Sequence, residues 1–121
     1  MNFSDNQPIY QQISDYFCKQ ILEKKWDSED RLPSVREIAV QLEVNPNTAL
    51  RAFHFLQDRE IFYNKRGVGY FVAFNAYDKV LNLKREEFIE EDLPSFFQTM
   101  NLLGFTCNEL EEIYEKHHKN S

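Results

Sequence analysis

Cysteine is scarce in this chain. Cys18 and Cys107 are the two present, and they are far apart and fit no metal-ligand spacing. A disulfide between them is unforced, and the pair reads as two buried free thiols of a reducing compartment. Glycine is also scarce for a chain of 121 residues, at three. No glycine-rich phosphate loop is present, nor an HExxH metal site or a nucleophile-base arrangement, so an enzyme is not expected. No apolar run approaches the ~18 residues that a membrane span needs. The opening MNFSDNQPIYQQ is polar and lacks the apolar stretch of a signal peptide, which points to the cytoplasm. Internal repeats and low-complexity segments are also missing.

Basic residues are in deficit too, 14 Lys and Arg against 20 Asp and Glu, for a net charge of −6. The deficit is local. Residues 1–75 carry nine basic and ten acidic side chains, and residues 76–121 carry five and ten. The window 31–75 is net positive, with six basic against four acidic. Local charge decides whether a phosphate backbone can be approached, so overall acidity does not exclude DNA.

What the chain does have is helical punctuation. Pro8 suits a first helical position. Ile9, Ile13, Phe17 and Ile21 follow at four-residue spacing, with Tyr10 and Leu22 alongside, which predicts a helix over about 8–25. WDSEDRLP, residues 26–33, reads as a polar connection. Ser34-Val35-Arg36-Glu37 has the form of a capping box, and Val35, Ile38, Ala39 and Leu42 make the apolar stripe of a short second helix. Asn45 as N-cap and Pro46 at the first helical position open a third over about 46–59. Only about three residues separate the second and third helices, which is the helix-turn-helix arrangement.

On the third helix Ala49, Ala52, Phe53 and Leu56 form the inward stripe. At ~100° per residue, Asn47, Arg51 and His54 point the other way, and Thr48 lies at the flank. Asn, Thr and Arg are side chains that hydrogen-bond base edges and phosphates. Leu50 and Phe55 find no place in this scheme. The runs Ile61–Tyr63 and Tyr70–Phe74 flank NKRGVG, a basic hairpin turn. A hairpin after a helix-turn-helix is a wing, and its Lys65 and Arg66 would meet phosphates or the minor groove.

From about Tyr77 the pattern is helical again. One face is apolar, with Phe88, Leu93, Phe96, Phe97 and Met100 among its residues, and Glu86, Glu87, Glu90, Glu91 and Asp92 line the other. Some of the 11 phenylalanines in the chain suit a subunit interface, and Phe96 and Phe97 suit the core or a dimer interface better than a ligand pocket. Pro94 should kink or break the stretch. Gly104 ends it, and a second capping box at Thr106–Glu109 starts the last helix. His117 and His118 lie in a charged tail with no further ligand nearby, so neither metal nor cofactor is expected.

From Pro8 to Val72 the sequence resembles the winged helix-turn-helix domain of the GntR family of bacterial transcription regulators. The resemblance rests on PIYQQI, RLPSVREIA, VNPNTALRAF and GVGYFV, of which RLPSVREIA is the most specific. NPNT followed by a basic residue, with a short two-helix extension, is similar to the YtrA-like subfamily. The resemblance implies a homodimer that binds a palindromic operator in double-stranded DNA, mostly as a repressor and often of a transporter operon. It places Ser34 and Arg36 at a phosphate or base from the start of the second helix. Asn45, Asn47 and Thr48 fall on the recognition-helix N-terminus, and Gly67 falls at the wing tip. Many members have arginine where this chain has Pro46 and Leu50, so its base preference should differ. Glycines common in the family are replaced by Lys25, Glu29 and Glu60.

The expected architecture is mainly α with a small β-hairpin wing. A winged helix-turn-helix domain spans residues 1–75, and a C-terminal dimerisation extension of two helices spans 76–121. Its acidic surface should lie away from DNA, and half-sites should be ~10 bp apart. A small-molecule effector has room only between the two parts. The competing reading is a winged-helix module that binds protein rather than DNA. Overall acidity favours it, whereas Arg36, Asn47, Arg51, Lys65 and Arg66 on one side favour DNA.

Overall fold

The computed structural model describes Met1 and residues 3–120. Six α-helices and one hairpin follow in order: α1 (Ile9–Leu22), α2 (Val35–Leu42), α3 (Pro46–Asp58), β1 (Phe62–Lys65), β2 (Gly69–Val72), α4 (Ala76–Glu87), α5 (Leu93–Leu103) and α6 (Cys107–Lys119). The fold is the expected mainly helical one with a two-stranded antiparallel wing. The chain divides into two compact units, Met1–Asn82 and Leu83 onward, and the division falls inside α4.

In the first unit α3 packs on α1, α2 and β1. Ile13, Phe17 and Ile21 of α1 are buried as their spacing requires, while Ile9 at the helix start stays exposed. Helix α1 ends at Leu22, three residues earlier than the apolar pattern suggested. Phe17 is the hub of an aromatic core, with ring centroids 5.2 Å from Phe53, 5.6 Å from Phe62 and 5.5 Å from Trp26. Tyr70 joins it at 4.8 Å from Phe53. Ala76 and Val80 of α4 are also buried in this unit.

The connection 26–33 is more than a polar linker. Leu32 N–H donates to Tyr70 O (2.8 Å), Val72 N–H to Asp30 O (2.9 Å) and Glu29 N–H to Val72 O (2.8 Å). An isolated bridge joins Arg31 to Phe71. Strand β2 would otherwise present a row of unpaired backbone groups, and this segment covers that edge. Polar composition alone gives no sign of such pairing.

Glu29 and Glu60, which stand where family glycines are common, have positive φ of 69° and 59°. Lys25 is not a positive-φ residue, whereas its neighbour Lys24 (58°) and Glu43 (57°) are. Glu60 follows α3, where glycine relieves the left-handed strain. Its carboxylate meets Lys79 at 3.5 Å, an exposed pair of small value. Glu60→Gly is therefore expected to stabilise the chain by up to about 1 kcal/mol, read as a rise in the thermal midpoint. A fall would show that the ion pair outweighs the strain.

In the second unit the end of α4 leads into a π-helical turn, Phe88–Asp92, and then α5. The disruption expected of Pro94 is therefore a widened turn just before it. Proline at the second position of α5 needs no intrahelical N–H partner. Gly104 caps α5, and the Thr106–Glu109 capping box opens α6. Cys18 is buried but Cys107 is exposed, against the expectation of two buried thiols, and neither is in a disulfide. No residue of the π-turn, α5 or α6 is buried.

Candidate nucleic-acid interface

Three residues join α2 to α3. Glu43 takes the left-handed conformation (φ 57°), and Val44 N–H donates to Ala39 O at 2.9 Å, which ends α2 and reverses the chain. Asn45 then caps α3, its Oδ1 accepting from Asn47 N–H at 2.8 Å. Ala49, Ala52, Phe53 and Leu56 are buried, which fixes the rotation of α3. Asn47, Arg51 and His54 are accordingly exposed, and Thr48 is half-buried beside them.

At the start of α2 the capping box is complete. Ser34 Oγ accepts from Glu37 N–H at 3.1 Å, and Glu37 Oε1 accepts from Ser34 N–H at 3.2 Å. The Ser34 hydroxyl proton is left to donate elsewhere. Arg36, within the first turn of α2, is exposed.

The wing is tighter than its sequence implied. Lys65 is the last residue of β1, paired with Gly69, and the turn is Arg66-Gly67-Val68. Val68 N–H donates to Lys65 O at 2.9 Å. Gly67 takes φ 78°, a value that a side chain rarely tolerates. Arg31 Nη2 donates to Val68 O at 2.7 Å and ties the turn back to the 29–32 segment. Lys65 Nζ lies 4.6 Å from the centroid of Phe71, whose ring stacks on Tyr63 at 5.5 Å. The Tyr63 hydroxyl donates to the Glu29 carboxylate. That hydrogen bond first, then desolvation and the charge of Glu29, raises the Tyr63 pKa.

The expected contact residues therefore lie on three local frameworks, all exposed except the half-buried Thr48: Ser34 and Arg36 at the start of α2, Asn45, Asn47, Thr48 and Arg51 on α3, and Lys65, Arg66 and Gly67 on the wing. Two supporting residues escaped the sequence reading. One is Arg31, which braces the wing. The other is Tyr10 of α1, whose ring lies 3.9 Å from the guanidinium carbon of Arg51. Phe55, unplaced from sequence, packs its ring on Tyr10 at 5.9 Å. The PIYQQ motif held the clue to Tyr10, but only the packing of α1 on α3 brings it to Arg51.

The model of the bacterial regulatory proteins of the gntR family matches residues 9–72, from the start of α1 to the end of β2. The chain belongs to the GntR family. Among its relatives is the uncharacterized HTH-type transcriptional regulator YhcF of Bacillus subtilis, 36% identical over 91% of this chain and 89% of that protein. Another is the HTH-type transcriptional repressor YtrA of the same organism, 32% identical over 89% of this chain and 80% of that one. A crystal structure described as a GntR-family regulator from Bacteroides thetaiotaomicron superposes with a TM-score of 0.80, at 41% identity over 93% of this chain and 98% of that chain. This GntR-family chain is thus a DNA-binding transcriptional regulator and not an enzyme. Among the described residues no helix is long and apolar enough to cross a membrane, and no group of three or more His, Cys, Asp or Glu is placed to hold a metal ion.

Proposed function

We propose that the protein is a homodimeric repressor that reads a palindromic operator with α3 and occludes a promoter of a nearby operon. The resemblance to YtrA-like members makes a transporter operon the first target to examine. One observation carries the reading: α3 is anchored by its buried alanines, Phe53 and Leu56 while Asn47 and Arg51 stand exposed near its N-terminus. In this reading α3 enters the major groove. Asn45, Thr48, Ser34 and Arg36 contact the backbone or base edges beside it, and Lys65, Arg66 and Gly67 of the wing meet the flanking phosphates. The name of the relative YtrA, a transcriptional repressor, supports repression over activation.

Homodimerisation is assigned to the second unit. Phe88, Phe96 and Phe97 are each about half exposed, at 51%, 50% and 49%, and Leu102 is 85% exposed. Large apolar side chains left in water in this number mark an interaction surface. Phe88, Leu93, Phe96, Phe97 and Met100 are its proposed centre. The rival reading, a protein-binding module, draws on acidity alone, and the acidic excess falls mostly after residue 75.

The test is binding to duplex DNA from upstream of the protein's own coding sequence, at low and high salt. Wild-type protein is expected to bind saturably and selectively, and more weakly as salt rises. Arg51→Ala should lose a base contact worth about 1–3 kcal/mol, or about 5- to 150-fold in affinity. Equal binding of unrelated DNA, untouched by the substitution, would defeat the operator reading.

A further inference from the structure

Arg51 differs from two other arginines of the first unit in what holds it. Arg31 donates to Val68 O at 2.7 Å, and Arg59 donates through Nη1 to Phe55 O at 3.0 Å. Both are engaged with backbone carbonyls. Arg51 is held by a ring: its guanidinium carbon lies 3.9 Å from the centroid of Tyr10, and among the described residues no acceptor is bonded to its N–H groups. A guanidinium carbon 3.9 Å from a ring centroid is a cation–π contact, which restrains the group without a hydrogen-bond acceptor. Tyr10 therefore restrains Arg51 while no acceptor in the described residues is bonded to its donors.

Tyr10 is itself fixed. It is half-buried on α1, its ring meets Phe55 of α3 edge-on at 5.9 Å, and its backbone carbonyl accepts from the buried Ser14 hydroxyl at 2.9 Å. Phe55 in turn carries Arg59 on its other contact, 3.5 Å from the ring centroid. The guanidinium of Arg51 thus rests on a support set by the packing of α1 on α3. A long side chain that is already restrained loses less rotamer freedom on binding, and it offers its donors in one plane.

We infer that Tyr10 is a positioning residue for operator reading, holding the Arg51 guanidinium by a cation–π contact so that its donors are presented to the DNA in one orientation. The inference rests on the reading of α3 as the operator-contacting helix. It assigns a role in recognition to a side chain that does not itself touch DNA.

The test uses the full chain and the same upstream duplex, with Tyr10→Ala, Tyr10→Leu and Tyr10→Phe, each alone and combined with Arg51→Ala. Thermal melts confirm folding, and Tyr10→Leu keeps an apolar partner for Phe55 while removing the ring face. Tyr10→Ala and Tyr10→Leu are expected to weaken specific binding about two- to five-fold, the size of an exposed cation–π contact. Tyr10→Phe, which keeps the ring, should bind like wild type. In the Arg51→Ala background all three should cause no further loss. Discrimination at the base pair that Arg51→Ala ceases to read should fall with Tyr10→Leu, which a merely structural role would not produce. A Tyr10→Leu loss of equal size with or without Arg51 overturns the inference, as does a Tyr10→Phe protein as weak as Tyr10→Leu. If Arg51→Ala itself binds as tightly and selectively as wild type, the operator reading of α3 falls first and takes this inference with it.

Discussion

Phe17→Ala is expected to lower the stability of the first unit by about 3–5 kcal/mol, the usual cost of emptying a buried phenylalanine site. The size follows from where the ring lies. Phe17 is fully buried, and rings from α3, β1 and the loop after α1 lie within 5.6 Å of it, centroid to centroid. Removing it leaves a cavity bounded by elements that are fixed by their own contacts, so collapse is limited and the lining loses its dispersion contacts outright. A unit of 82 residues has roughly 4–12 kcal/mol of stability in all. The loss should move the thermal midpoint by on the order of 20 °C. Trp26, the only tryptophan of the chain, lies 5.5 Å from Phe17 and reports the change by fluorescence. Operator binding should fail at temperatures where the variant is unfolded and recover on cooling. A midpoint within a few degrees of wild type would show that Phe17 is not the centre of the core.

Phe97→Asp should dissociate the proposed homodimer. Phe97 is half exposed in the single chain, so the substitution adds a solvated carboxylate and leaves the monomer's fold little changed. In a dimer the same carboxylate would be desolvated among apolar side chains, twice over by symmetry. Loss of a central aromatic anchor alone costs about 2 kcal/mol or more, and the buried charge adds to it. The dissociation constant is therefore expected to rise at least about 100-fold, measured by sedimentation across a dilution series. Binding to a two-half-site duplex should fall with it, because a monomer engages one half-site only. Binding to a single half-site should be unchanged. A variant that stays dimeric at wild-type concentrations would move the interface away from Phe97. Dimer loss with full palindrome affinity would separate dimerisation from recognition.

The elements of the first unit were legible because their signals are local. Ser34 with Glu37, and Asn45 with Pro46, mark helix starts through bonds that span no more than three residues. The inward stripe of α3 follows from helical spacing, and its exposed face follows from the stripe. The wing was legible as a hairpin, but its register was not. Lys65 belongs to β1 because it pairs with Gly69, and only strand pairing decides that. The pairing of the 29–32 segment was not legible for a related reason: its backbone bonds to β2 lie about forty residues away in sequence, and its side chains carry no alternating pattern.

The sequence by itself determined the succession of helices, the helix-turn-helix, the side of α3 that faces outward and the family. Each is set by residues close together in the chain, through capping bonds, helical periodicity or a contiguous motif. Tertiary structure decided what stands behind those residues. It set Tyr10 under Arg51 and Arg31 behind the wing tip, and it gathered rings from five separate segments around Phe17 and Phe53. These contacts join positions that have no fixed spacing in sequence. They exist because burying the apolar faces of α1 and α3 against one another leaves only certain side chains at the edge of the contact, and that geometry is a property of the packed helices rather than of either one alone.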